Sequence, residues 1–180
     1  MILLPAILAI YATQAEQDQV AALFQAHHLA MYNLARQILN SHEDAEDAVQ
    51  EAFIVIHDQL EKLEDVYSDY ARGFLLLTAK FISLNKIRKR RREKNISLDA
   101  LLYELPSQGG DVFSRIETEA LLAEIRELPD TPRDILLLKV LHQCSDKELA
   151  KMMGIGHDAT RKRVERARAL LAERFHAYEA

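Results

Sequence analysis

Basic side chains cluster near the carboxyl end of this chain, in a segment whose chemistry suits nucleic acid. From Arg161 to Arg168, five of the eight residues are Arg or Lys. Arginine reads guanine edges in the major groove through paired hydrogen bonds, and both cations also contact phosphates. The segment therefore predicts a DNA-binding surface. The alternative is a surface helix whose charged face is simply solvated.

Two predicted helices position these cations. Ser145 and Glu148 have the spacing of a capping box, which starts a helix, and Gly154 suits the left-handed residue that ends one. On the helix that follows, an inward seam recurs at helical spacing and comprises Thr160, Val164, Ala167 and Leu171. At about 100° per residue, Lys162 and Arg166 point away from that seam. The pattern predicts a helix-turn-helix that fits a major groove.

Composition places the chain among small all-α proteins. It has 180 residues with 49% hydrophobic content, enough for one domain or two small ones. It holds five Gly and four Pro, while long stretches rich in Leu, Ala, Glu and Arg dominate. The single Cys144 excludes an internal disulfide framework and a cysteine metal cluster. A reducing cytoplasm is the compartment that this cysteine usage indicates.

The net charge of −5 conceals a strong segregation of charge. Residues 86–94 hold seven basic side chains and one acidic one, and residues 161–174 hold six and two. The rest of the chain carries ten basic and 25 acidic residues. Two concentrated basic patches on an acidic protein predict two local anion-binding sites, while the remaining surface disfavours indiscriminate adhesion to DNA.

Helical periodicity divides the chain into two small domains. Residues 1–93 are predicted to form a bundle of three long helices, which run from about Glu16 to Leu39, from Ser41 to Leu63 and from about Tyr70 to Arg92. Residues 94–112 contain a Gly, Pro and Ser cluster and are predicted to be a flexible linker. Residues 113–180 begin with a helix to Leu128. The next helix is capped by Thr131, with Pro132 at its first position, and precedes the helix-turn-helix.

The apolar segment of residues 1–12 is predicted to be a short helix packed on the first domain, with Pro5 in its first turn. It lacks the basic region that opens a signal peptide, and it is shorter than the roughly 20 residues that span a bilayer. We therefore expect no membrane insertion. A cleaved signal peptide is the alternative.

Four features in a fixed order support a family resemblance. The acidic-faced segment Asp44–Phe53 precedes an aromatic-rich helix that ends in an Arg run, and Leu128-Pro129 precedes a basic helix-turn-helix that ends in Arg166-Ala167-Arg168. From about Val20 to Arg174, the chain resembles the extracytoplasmic-function group of bacterial RNA polymerase sigma factors. The resemblance implies a subunit that directs core polymerase to particular promoters and helps to open them.

The resemblance assigns the acidic helix to the polymerase. In the family, the helix matching Asp44–Phe53 docks on a coiled coil of the β′ subunit. The carboxylate and amide groups that would accept hydrogen bonds from basic partner side chains are those of Asp44, Asp47, Gln50 and Glu51. The alternative is a solvated acidic face that complements the positive end of the helix dipole.

The third helix matches the family's promoter-opening region. Melted DNA needs aromatic faces on which an unstacked base can rest and a basic track for its phosphates. The aromatic candidates are Tyr67, Tyr70 and Phe74, and the phosphate-binding candidates are Lys86, Arg88, Lys89, Arg90 and Arg91. The alternative is that Phe74 and Phe81 belong to the core. Phe74 stands where the family usually has Trp, and Phe81 and Asn85 replace a usual Asn and Asp.

The resemblance assigns the second domain to the −35 promoter element in duplex DNA. We expect Arg161, Lys162 and Arg166 to enter the groove. We expect Arg163, Arg168 and Lys147 to contact phosphates that set the register. The expected partners are core RNA polymerase, through its β′ and β subunits, promoter DNA and an anti-sigma factor, without a cofactor.

Three other functions fit the features of this sequence less well. A sigma-like decoy that binds an anti-sigma factor would not need the basic recognition helix, and a free-standing helix-turn-helix regulator would leave the first domain unexplained. An enzyme would need a catalytic or metal site, for which the histidine candidates are His27, His28, His42 and His57. They match no metalloprotease, phosphate-loop or serine-elbow pattern. His27 lies on an apolar helix face, where a hydrogen-bonded core histidine is expected.

Overall fold

The computed structural model describes residues 4–93 and 119–178, with side chains described for residues 4–91 and 121–174. Their secondary structure is helical, and these residues contain no β-strand. The chain divides into two compact units, Met1–Leu98 and Asp99–Ala180. The prediction of an all-α protein with two small domains is confirmed. The predicted linker of residues 94–112 lies outside the described residues, so the exact domain limits stay a prediction.

The first unit is a bundle of three long helices with two short ones beside it. Its elements are α1 (Leu4–Leu8), α2 (Gln14–Leu39), α3 (His42–Val55), a 3₁₀ helix (Ile56–Leu63) and α4 (Asp69–Glu93). Helices α2, α3 and α4 pack against one another in all three pairings. Their shared core is apolar, and its largest fully buried side chains include Phe53, Phe74 and Phe81.

The helix starts of this unit follow from its sequence. Thr13 and Glu16 form a reciprocal capping box at the start of α2, and Ser41 Oγ accepts the N–H of Asp44 at the start of α3. The second predicted helix ends as α-helix at Val55 and continues to Leu63 as a 3₁₀ helix. Gln19 Nε2 donates to the carbonyls of Leu60 and Leu63, at 2.9 Å each, and so caps the end of this tighter helix.

The apolar amino-terminal segment is packed on the bundle, as predicted. Helix α1 contacts α2 and α3, Pro5 lies in its first turn, and Ile7 and Tyr11 are buried. The Tyr11 hydroxyl donates to the carbonyl oxygen of Phe53 at 2.5 Å. Burial raises the pKa of the Tyr11 phenol above its ordinary range. Within the described residues, no helix combines the length and apolar character needed to span a bilayer.

The described part of the second unit, residues 119–178, contains four helices, α5 (Glu119–Arg126), α6 (Asp130–Val140), α7 (Asp146–Met153) and α8 (His157–Tyr178). Helix α8 packs against α5, α6 and α7. The buried core of this unit includes Leu122, Ile125, Ile135 and Leu138. Of the helix predicted over 113–128, the part before Glu119 lies outside the described residues.

The predicted start of α6 is wrong by two residues, because the sequence pattern placed the first helical residue at Pro132. The helix begins at Asp130, and Pro129 occupies the capping position without a side-chain hydrogen bond. Pro132 is therefore the third residue of the helix, still within the first turn, where a backbone N–H would have no helical partner. Asp130 Oδ1 accepts a hydrogen bond from Arg133 Nη2 at 2.5 Å, which ties the first turn together in place of a Thr131 cap.

Candidate nucleic-acid interface

The turn of the helix-turn-helix has the geometry that its sequence predicts. Ser145 Oγ accepts the N–H of Glu148 at 3.2 Å, and the Glu148 carboxylate accepts the N–H of Ser145 at 2.6 Å. Gly154 ends α7 with φ 57° and ψ 36°, a left-handed conformation, and its N–H donates to the carbonyls of Ala150 and Lys151. The capping box and the glycine turn are both confirmed, and together they fix where α7 begins and ends.

The inward seam of α8 is also confirmed. Thr160, Val164 and Ala167 are buried, and Leu171 is half-buried. Thr160 stands where an apolar residue is usual in the family, and its hydroxyl donates to the Gly156 carbonyl at 3.1 Å. The buried Thr160 hydroxyl therefore has a hydrogen-bond partner. Its burial in the seam does not leave a polar group unsatisfied.

The opposite face of α8 is a cationic surface. Arg161, Lys162, Arg166 and Arg168 are exposed, and Lys147 is exposed on α7. Arg161 forms a loose ion pair with Glu165, with 3.8 Å between Nε and Oε1. Arg163 differs from the rest because it is half-buried and its Nη1 atom is shielded from solvent. Lys162 and Arg166 lie opposite the seam and Arg161 and Arg168 flank them, so the solvent side of α8 presents four exposed cations of the kind that a DNA groove accepts.

The aromatic candidates of the first unit have different environments. Tyr67 is 80% exposed and lies in the turn before α4, whereas Tyr70 is half-buried in the first turn of that helix. Phe74 is only 2% exposed and Phe81 is fully buried. The interpretation of Phe74 as a stacking surface does not fit this structure, because its ring is part of the core between the helices. The core alternative holds for both phenylalanines.

The basic end of α4 lies partly in solvent. Lys89 and Arg90 are exposed, while Lys86, Arg88 and Arg91 are half-buried. Arg88 Nη1 donates to Asn85 Oδ1, one turn earlier, at 3.2 Å. The side chain of Arg92 lies outside the described set. These five positions form a cationic track along the last two turns of the helix, which we call the α4 basic track.

The structure brings the α4 basic track against the acidic face of α3. Arg90 Nη2 donates to Asp44 Oδ1, and Lys86 Nζ lies 3.4 Å from Glu51 Oε2. The hydrogen bond from Arg90 holds the pKa of the Asp44 carboxyl below its ordinary value, with Ser41 adding to the effect. Asp47 is exposed and Gln50 is half-buried on the same face. Two surfaces that the sequence assigned to separate partners are therefore adjacent and joined by ion pairs.

Sequence reasoning missed this contact, although a signal for it was present. Asp44 and Glu51 are seven residues apart, and Lys86 and Arg90 are four apart, so each pair lies on one face of its helix. Opposite charges at helical spacing on two helices of one bundle are a pattern expected for cross-helix ion pairs. The pattern needs the antiparallel pairing of α3 and α4 to be known, and no local signal supplies that.

The histidines do not assemble into a metal site. His27 Nε2 lies 2.6 Å from the Val66 carbonyl, and His28 Nδ1 lies 2.7 Å from the Phe24 carbonyl. His42 pairs with Glu46, and His57 with Asp58. Across the described ranges, no group of three His, Cys, Asp or Glu side chains could hold a metal ion. The prediction that His27 is a hydrogen-bonded core histidine is confirmed.

Comparison with known proteins identifies the family. Residues 23–93 match the family model of Sigma-70 region 2, and residues 118–171 match that of Sigma-70 region 4. The chain belongs to the sigma-70 family of RNA polymerase sigma factors, and one matched region lies within each of the two helical units. Within the family, its relatives are those of the extracytoplasmic-function (ECF) group, and transcription initiation is the process in which it acts.

Several characterised relatives resemble nearly the whole chain. The ECF RNA polymerase sigma factor SigW of Bacillus subtilis is 23% identical over 171 residues, covering 87% of this chain and 88% of its own. The ECF RNA polymerase sigma factor SigM of Mycobacterium tuberculosis is 25% identical over 150 residues, covering 83% and 74%. The RNA polymerase sigma factor CnrH of Cupriavidus metallidurans is 24% identical, covering 92% and 91%.

A solved structure is also similar over most of its length. It is the sigma factor RpoE of Bartonella quintana, crystallised in complex with the anti-sigma factor NepR. The identity is 20%, the match covers 90% of this chain and 96% of that one, and the TM-score is 0.34.

Proposed function

We propose that this chain is a promoter-specificity subunit that binds core RNA polymerase, reads the −35 element with α8 and helps to open the −10 element with the turn and basic track of its first unit. Its place of action is the cytoplasm, and its own residues carry out no catalysis. The observation that carries the proposal is the division of α8 into a buried seam and an exposed cationic face. That division leaves the cations free to meet DNA without disturbing the fold.

The −35 reading is assigned to the outward face of α8. Arg161, Lys162 and Arg166 occupy the second and third turns of α8, where base edges are within reach of a helix lying in the major groove. Each bidentate contact of this kind contributes about 1–3 kcal/mol of discrimination between bases. Arg168 and Lys147 are assigned to phosphates. Arg163, being half-buried, is assigned to phosphate contact from the edge of the face.

Polymerase docking is assigned to the acidic face of α3. Asp47 and Glu51 are exposed, and Asp44 and Gln50 lie on the same side of the helix. This row of acceptors suits Arg and Lys side chains of a coiled coil on the β′ subunit, since charge-assisted hydrogen bonds are stronger than neutral ones. Contact with the β subunit belongs to the same proposal through the resemblance to the family.

Promoter opening is assigned to Tyr67, Tyr70 and the α4 basic track. Tyr67 is the exposed aromatic ring at this site, and a base that leaves the stack can rest on such a face. Phe74 is left out because its ring is buried. Binding of the displaced strand by Lys89, Arg90 and their neighbours would add a salt-dependent, sequence-independent term to the affinity.

Run-off transcription tests the proposal as a whole. Purified core polymerase is combined with the full chain and a library of promoter fragments, and selected transcripts are sequenced. A specific transcript set is expected from the wild type, and Arg166→Ala should change its −35 preferences. Arg126→Ala, an exposed arginine on α5 outside the helix-turn-helix, is the matched control and should leave the preferences unchanged.

Other outcomes would contradict the proposal. Failure of the chain to bind core polymerase at low salt would remove it. An anti-sigma partner is also implied by the family resemblance, and a decoy would bind such a partner yet give no transcript. Promoter-specific DNA binding without core polymerase would instead favour the free-standing regulator.

A further inference from the structure

We propose that His27 is a positioning residue for promoter opening: its imidazole holds the turn that carries Tyr67, so that the exposed phenol ring is presented to an unstacked base in one orientation. This inference rests on the proposed function, in which Tyr67 receives the base. It concerns a residue of α2 that lies outside the turn and outside α4.

The hydrogen bond from His27 is long-range and shielded. His27 is 6% exposed, and its Nε2 lies 2.6 Å from the carbonyl oxygen of Val66, 39 residues further along the chain. Because a carbonyl oxygen can only accept, Nε2 must carry the proton and donate. The neighbours of His27 on the same helix face, Leu23 and Met31, are fully buried. The bond is therefore formed at the edge of the apolar core, between a buried imidazole and a half-buried residue.

The turn itself is built from local hydrogen bonds. The Asp65 carbonyl accepts the N–H of Ser68 at 3.2 Å and its hydroxyl at 2.6 Å, while Asp65 Oδ1 accepts the N–H of Tyr67 at 3.2 Å. Ser68 Oγ also accepts the N–H of Ala71 at 3.1 Å, which joins the turn to the start of α4. These bonds give the turn its shape. They join the turn to α4, but none of them reaches α2.

His27 supplies that connection. Val66 immediately precedes Tyr67, so the imidazole fixes the peptide unit from which the tyrosine side chain projects. The Tyr67 ring is 80% exposed, which leaves its direction to be set by the backbone. A binding group held in its productive geometry does not pay the entropy of ordering when the ligand arrives. The bond from α2 thus preorganises a ring that would otherwise move with the turn.

The key experiment removes the donor while keeping the shape. His27→Phe puts an aromatic ring that has no N–H in place of the imidazole. His27→Gln keeps an N–H donor, the side-chain amide, of similar reach. Promoter opening is measured with polymerase holoenzyme on a promoter chosen by run-off selection, using the fluorescence of 2-aminopurine placed in the −10 element. We expect His27→Phe to slow opening about tenfold, because the Tyr67 ring must then be ordered when the base binds. His27→Gln should restore most of the rate.

Two readouts separate positioning from a general loss of stability. Binding to core polymerase and to a −35 duplex within holoenzyme should be unchanged in His27→Phe. Hydrogen exchange should accelerate at residues 66–68 and stay slow in α2 and α3. If His27→Phe fails to fold, His27→Met, which also lacks a donor but fills the core more flexibly, takes its place.

A double-mutant cycle with Tyr67 decides the matter. If His27 acts through Tyr67, the slowing caused by His27→Phe should largely vanish in a Tyr67→Ala background. Additive effects, or wild-type opening by His27→Phe while Tyr67→Ala is slow, would overturn the role of His27 and leave that of Tyr67 intact. Wild-type opening by Tyr67→Ala would instead overturn the assigned role of Tyr67, and the positioning role with it.

Discussion

Arg90 at the end of α4 donates a hydrogen bond to the Asp44 carboxylate at the start of α3, across 46 residues of sequence. The Lys86–Glu51 pair lies on the same helix–helix seam. The proposed polymerase-binding acids and the proposed strand-binding cations therefore share two ion pairs. A substitution at either surface changes the electrostatics of the other, so mutational effects on polymerase binding and on DNA binding at these four positions must be separated by design.

The Asp44–Arg90 pair should contribute little to folding stability. The Arg90 side chain is 50% exposed, and exposed ion pairs measured by double-mutant cycles contribute about 0.2–1 kcal/mol. We expect a coupling energy below about 1 kcal/mol from urea unfolding of Asp44→Ala, Arg90→Ala and the double variant, shrinking as salt is added. A coupling that persists at high salt would show that the pair is more strongly shielded than this structure indicates.

The same pair predicts a pH dependence at the acidic end. Since Arg90 lowers the folded-state pKa of Asp44 below its ordinary value of 3.8, the unfolded chain binds the proton more tightly than the folded one. The stabilising contribution of the Asp44 carboxylate is complete at a pH above its ordinary, unfolded-state pKa. It is lost as the pH falls through the lowered, folded-state pKa. In Asp44→Asn, the stability of the first unit should therefore fall less steeply with pH below about pH 4 than in the wild type. Hydrogen exchange in α3 and α4 measures this stability.

A matching carboxylate in the second unit provides the control. The pKa of Asp146, the first residue of α7, is lowered by a hydrogen bond from Lys139 of α6, at 2.9 Å. Exchange in α6 and α7 should keep its wild-type pH dependence in Asp44→Asn. A change in both units would mean that the substitution acts through something other than its own ion pair.

Serine substitutions at two neighbouring glycines should have opposite effects. Gly154 has φ 57°, a conformation that costs an L-residue about 1–2 kcal/mol, so Gly154→Ser should destabilise the helix-turn-helix. Gly156 directly precedes α8, and a Cβ added there meets no atom within 4 Å. Because serine is a better helix cap than glycine, Gly156→Ser should stabilise α8 by about 0.3 kcal/mol.

Hydrogen exchange in α7 and α8 of the full chain measures both effects. Faster exchange in Gly154→Ser and equal or slower exchange in Gly156→Ser are expected. If both serines accelerate exchange equally, the left-handed conformation at Gly154 is not what ends α7.

Removal of a groove cation and of a track cation should give distinct DNA phenotypes. In holoenzyme, Arg166→Ala should lose about 1–3 kcal/mol of discrimination at one −35 position. Lys89→Ala should weaken binding about equally for all sequences and reduce the slope of affinity against salt by about one. Lys89 is a better choice than Arg90 for this test, because Arg90 also binds Asp44.

Competition binding over a set of single-base −35 variants, repeated at several salt concentrations, measures both quantities. Equal loss of discrimination from the two variants would contradict the division between groove and track.

Local signals accounted for the parts of the structure that the sequence predicted well. The capping box at Ser145 and the turn at Gly154 depend on residues within one or two helical turns, and the seam of α8 depends on a period that the helix itself imposes. Each of these features is determined by residues that are close to it in the sequence. This is why the helix-turn-helix and the outward direction of Lys162 and Arg166 could be read from the sequence.

The misjudged parts depend on tertiary contacts. Phe74 has the same residue type whether it faces a strand of DNA or the core, and only the packing of α2, α3 and α4 decides between them. The start of α6 moved to Asp130 because Pro129 fits an extended capping position that Thr131 would otherwise take. The contacts of Arg90 with Asp44 and of His27 with Val66 join residues about 40 apart or more, beyond any local pattern.

The hydroxyl of Tyr11 on the Phe53 carbonyl has a practical consequence for anyone who shortens this protein. The region 2 family match begins at residue 23, yet the polypeptide before it supplies a donor to the last turn of α3 and covers apolar side chains with Ile7. A version that begins at residue 23 would leave the Phe53 carbonyl without its Tyr11 donor and would expose the apolar side chains that Ile7 covers. The matched region and the compact structural unit therefore have different limits, and expression or tagging strategies should keep the whole compact unit.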